Sequence, residues 1–149
     1  MDNDAVLRLC NGDVVALDWV QLGRRYCHEI DDLVDEDLPR ANVAGGAERA
    51  CRIGAMAIQL YTHPFFIAHR EKLVPVMYLN TIKYADSCRW EKAKEDWKRQ
   101  CSDWWRHGWL DVCLVVGTIC GGYDCARNES AEMWVVAWEN HHDVNGDPT

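Results

Sequence analysis

The chain has 149 residues, 48% of them hydrophobic and 27% charged, with a formal net charge of −8. That length and apolarity exclude wholesale disorder and predict one domain, residues 1–149, burying about two-thirds of its unfolded surface. The 24 acids against 16 Lys and Arg exclude non-specific nucleic-acid binding and suit a protein that meets cations or a basic partner.

The first expected element is a β-hairpin over residues 1–17. Residues 5–10 and 13–17 flank Asn11-Gly12, a pair whose tolerance of positive φ favours a tight hairpin turn. From there the pattern turns helical. Asp18 is expected to cap a helix reaching about Asp37 and stopping before Pro39. Residues 40–46, with Gly45-Gly46, read as a loop before a second helix over 47–61. His63-Pro64 starts a short third segment, and Pro75 opens or kinks a long helix through Trp90.

A charged, Trp-studded stretch follows over 91–106. The apolar run 109–120 reads as a buried core helix, since a membrane span needs roughly 20 apolar residues. It is expected to end at Gly121-Gly122, before a last helix over 123–140 and a frayed tail over 141–149. The class is all-α: a bundle of about five helices over 18–140 with an N-terminal β-hairpin.

Eight cysteines are dispersed through these patterns without a C-x-x-C pair. The start, Met1-Asp2-Asn3-Asp4, has neither the basic end nor the apolar run of a signal peptide. Reduced thiols, a cytoplasmic location and no membrane association are therefore expected.

One segment suggests chemistry. In the run His28 to Asp37, helical spacing puts His28, Asp32 and Asp35 on one face with Asp31 at its edge. Crowded carboxylates repel, and Mg²⁺ or Mn²⁺ would relieve that cost while bridging to phosphate oxygens. A solvated acidic face opposite the apolar stripe is the simpler account, and a dock for a basic protein is a third. Further along, Asn80, Tyr84, Ser87 and Glu91 share a stripe whose apolar members point inward. They form either a buried hydrogen-bond network or the wall of a substrate site. Gly121-Gly122-Tyr123, with Arg127 one turn on, offers a weak phosphate signal at a helix start.

Asp31-Asp32-Leu33-Val34-Asp35 resembles the D-D-x-x-D signature of class I isoprenoid synthases. The resemblance covers about ten residues, and the second metal motif of those synthases has no match here. Glu29-x-x-Asp32 looks like a half-motif of the all-α nucleotide pyrophosphatases, which also use helix-borne acids with magnesium. The layout as a whole, with Ala85-Asp86-Ser87 and Gly121-Gly122-Tyr123, is similar to small accessory proteins of tailed bacteriophages. That likeness would put the chain in a host cytoplasm and implies no mechanism.

The resulting expectation is a magnesium-dependent hydrolase-like protein acting on a nucleotide or other diphosphate. Asp31, Asp32 and Asp35 would hold the metal, and Glu29 or Glu91 would be the base. Asn80, Ser87, Tyr123 and Arg127 would meet the substrate. The alternative is a non-enzymatic acidic binder or inhibitor.

Overall fold

The structure, a computed structural model, describes residues 3–34 and 43–139. Six helices and no strand occur among the described residues: α1 Asn3–Leu9, α2 Val14–Val34, α3 Val43–Thr62, α4 Pro64–Trp90, α5 Asp96–Arg106 and α6 Trp109–Glu139. The all-α class holds. The chain divides into two compact units, a larger one made of Met1–Leu17 and Glu71–Thr149, and a smaller one, Asp18–Arg70.

The expected hairpin is replaced by α1 and the start of α2. Ala5, Val6, Leu9 and Cys10 are buried together, and their spacing of one, three and one is a helix face, whereas a strand would alternate. Asn11-Gly12 does take positive φ, 51° and 78°. It uses that freedom to end a helix: the Asn11 and Gly12 amides donate to the carbonyls of Arg8 and Leu7 at 2.8 and 2.9 Å. Asp13 then caps α2, its Oδ1 accepting from the amides of Val15 and Ala16 at 2.9 and 3.0 Å. Asp18 is therefore not the cap. Gly45-Gly46, expected in a loop, lies inside α3.

In the larger unit α1 packs on α6. The crossing is close at Gly117, where an added Cβ would stand 2.6 Å from Leu9 Cδ1 and 3.1 Å from the Leu9 carbonyl oxygen. Arg8 reaches Glu129 at 3.2 Å and also bonds Glu132. The Cys125 thiol lies 3.8 Å from the carbonyls of Arg8 and Leu9. The two helices expected over 109–140 form one element, broken at Gly122 with φ 76°. By length and composition, α6 could cross a membrane over Trp109–Val135. Leu110, Val112, Cys113, Val116 and Met133 are buried, whereas Tyr123 and Val135 of the same span are exposed.

The remaining helices of this unit are joined by aromatic and polar contacts. Trp90 of α4 meets Trp97 and Trp105 with ring centroids 5.3 and 4.8 Å apart. The hydroxyl of Ser102 donates to the Ser87 carbonyl at 2.8 Å. α4 breaks at His69 (φ −124°, ψ 16°), and Pro75 lies within the helix that follows. The kink therefore precedes the proline.

The smaller unit is organised around Trp19. Its ring is fully buried against Phe65 and Phe66, at centroid distances of 5.8 and 6.1 Å. Its Nε1–H donates to the Leu60 carbonyl at 3.0 Å. His63 closes the start of α4, its Nδ1 accepting from the Phe65 amide at 3.2 Å. Its Nε2 lies 3.2 Å from Asp18.

All eight cysteines are free thiols. Burial, reinforced by Cys120, Asp13 and Cys125, pushes the Cys10 thiol from 9.0 up to about 12. The folded state thus holds this proton more tightly than the unfolded chain. The stability so gained is whole below pH 9.0 and drains away as pH rises towards about 12. The urea midpoint of the wild type should fall between about pH 8 and about pH 10.5, and Cys10→Ala should fall less. Equal falls would contradict the assignment.

Candidate functional site

Glu29 and Asp32 of α2 face α3 inside the smaller unit, and what they meet there is arginine. Glu29, Asp32, Arg49 and Arg52 interlock because both helices carry complementary charges three residues apart. Glu29 Oε1 accepts from Arg52 Nη1 at 3.2 Å. Glu29 Oε2 lies 3.5 Å from Arg49 Nε, and Asp32 Oδ2 lies 3.6 Å from Arg49 Nη2. The Arg49 and Glu29 side chains are only 18% and 21% exposed, so water screens this pair less than an open surface pair. Glu29 Oε2 and Arg49 Nη1 are buried without a hydrogen-bond partner among the described residues. The ion pairs are close, but not every polar atom is hydrogen-bonded.

Beside this seam lies a groove of about 410 Å³. Leu22 and Met56 give it an apolar floor, while Arg25, His28, Glu29 and Arg52 supply its polar edge. The spacing Leu22, Arg25, Glu29 on α2 and Arg52, Met56, Gln59 on α3 places each set on one side of its helix. Two guanidiniums against one carboxylate suit a ligand with an anionic head and an apolar body.

The residues expected to form one site are distributed between the units. Glu29, Asp31 and Asp32 belong to the smaller unit, and Asn80, Ser87, Glu91, Tyr123 and Arg127 to the larger. Asp35 lies outside the described residues, as does the tail over 141–149.

Each of the others has its own setting. Asp31 is half-buried on α2. Ser87 is fully buried, and its hydroxyl donates to the Tyr84 carbonyl at 2.7 Å. Asn80 is half-buried, and a Cβ on Gly108 would fall on its Oδ1. Glu91 pairs with Arg106 at 3.1 Å. Tyr123 and Arg127 are exposed on α6 beyond the Gly122 break. Ser87 and Asn80 thus sit in packing contacts within the larger unit.

Of the three expected metal ligands, Asp32 lies against a guanidinium and Asp35 is outside the described residues. Asp32 and Glu29 face guanidiniums of the chain itself. Among the described residues no group of three or more His, Cys, Asp or Glu is arranged to hold a metal ion. Sequence reasoning passed over Arg25, Arg49 and Arg52. The signal was present: Arg49 and Arg52 repeat on α3 the three-residue interval of Glu29 and Asp32 on α2.

No family model matches the chain, and no curated protein or solved structure matches it.

Proposed function

We propose that the protein is a non-enzymatic binding protein whose site is the α2–α3 groove, and that it takes a small ligand bearing a phosphate or carboxylate on an apolar body. The pairing of Glu29 and Asp32 with Arg49 and Arg52 carries this reading. Positive charge that a hydrolase would recruit as a divalent ion comes here from the fold. What is left at the groove is cationic and apolar, the features that hold an anionic head and its hydrophobic tail.

Calorimetric titration with adenosine 5′-monophosphate and with octanoate, each with and without Mg²⁺, tests the proposal. At least one probe should bind independently of Mg²⁺, and Arg25→Ala should weaken it about tenfold, the loss of one charge-assisted contact. Arg25 is exposed and outside the Glu29 cluster, so the variant should fold normally. Absence of binding by both probes, or binding unaffected by Arg25→Ala, would overturn the assignment.

A further inference from the structure

We infer that a second copy of this chain covers the outward stripe of α4, the two α4 helices packing antiparallel. Glu71, Val74, Tyr78, Ile82, Ala85 and Arg89 recur at intervals of three and four, so they form one continuous row along the helix. All six are exposed, Tyr78 by 69% and Ile82 by 59%. The same segment turns Leu73 and Ser87 inward, both fully buried. A solvated stripe would be polar through its middle. This one is apolar in the middle and charged only at its ends, the layout of a contact surface with a polar rim.

The end charges choose the partner and its direction. Glu71 and Arg89 lie 18 positions apart, about 27 Å along a helix at 1.5 Å per residue. A twofold axis at the level of Asn80, midway between them, sets Glu71 of each copy opposite Arg89 of the other. The same operation sets Tyr78 opposite Ile82, because these two are also equidistant from Asn80. Parallel pairing would instead oppose Glu71 to Glu71 and Arg89 to Arg89. One register therefore opposes the end charges and pairs the two largest apolar residues of the row, Tyr78 and Ile82, and it is self-complementary, as a twofold dimer requires. Arg89 Nη1 already lies 3.4 Å from Asp86 of its own helix. Its remaining N–H groups can serve a second carboxylate.

Sedimentation equilibrium of the full chain under thiol reductant, from low micromolar to several hundred micromolar, tests this. The wild type should show a reversible monomer–dimer equilibrium. Ile82→Lys should raise its dissociation constant at least tenfold, since it buries a charge in the seam. Glu71→Arg and Arg89→Glu should each raise it about fivefold, the scale of exposed ion pairs. The double exchange Glu71→Arg with Arg89→Glu should return it to within about twofold of wild type. These positions are exposed, so unchanged helical circular dichroism would show that the variants fold. A chain that is monomeric throughout, a dimer indifferent to Ile82→Lys, or a double exchange no better than the singles would each overturn the inference.

Discussion

Replacing Trp19 by alanine is expected to cost roughly 3–5 kcal/mol, the range for deleting a large buried aromatic side chain. The indole is fully buried, stacks near Phe65 and Phe66, and donates to the Leu60 carbonyl. Its removal takes away ring contacts and strands that carbonyl at once. Trp19→Phe keeps most of the packing and loses the hydrogen bond, so it should cost less than half as much. Urea denaturation measures both. A cost for Trp19→Ala below about 1 kcal/mol would mean that the smaller unit does not depend on this residue.

The second large effect is expected at Gly117. An alanine there gains helix propensity, up to about 1 kcal/mol. Its Cβ would press on Leu9, which is fully buried, at 2.6 Å from Cδ1 and 3.1 Å from the backbone oxygen. Overpacking of this kind costs about 1–3 kcal/mol, so the net change should be destabilising. The damage should concentrate on α1. Cys10, buried in the wild type just beyond α1, should react faster with a thiol reagent in Gly117→Ala under native conditions. Unchanged labelling together with raised stability would show that α1 and α6 can separate without cost.

The all-α class was legible because most of the chain carries helical periodicity, and several punctuation marks were read correctly. Gly121-Gly122 marked the break in α6, and Pro64 marked the start of α4. The hairpin was misread for a definite reason. Asn-Gly permits positive φ equally well in a hairpin turn and at a helix end, and only the spacing of Ala5, Val6, Leu9 and Cys10 decides between them. Asp13, one residue beyond Gly12, was also available as a cap. Gly45-Gly46 failed in the opposite sense, because a glycine pair lowers helix propensity without forbidding a helix.

The candidate site was half legible. Local sequence shows that carboxylates crowd on one helix face, but not what stands across from them. A metal, water or a guanidinium each relieves the same repulsion. The answer lay some twenty residues downstream, in Arg49 and Arg52, whose interval matches that of Glu29 and Asp32 only once the two helices are set side by side. The Asn80, Ser87 and Glu91 stripe posed the same ambiguity. Ser87 bonds within its own helix and Glu91 forms an ion pair with Arg106, contacts that periodicity alone does not reveal.

Arg49 and Arg52 stand against Glu29 and Asp32 of α2, and we propose that they take the place of a divalent ion there. Thermal melting of the wild type and of Asp32→Asn, each with and without millimolar Mn²⁺, tests it most directly. Anything that binds the native state at a defined site raises its melting temperature by mass action. No Mn²⁺-dependent rise should distinguish the two proteins. A clear rise in the wild type that Asp32→Asn abolishes would contradict it and return the acids of α2 to a metal site.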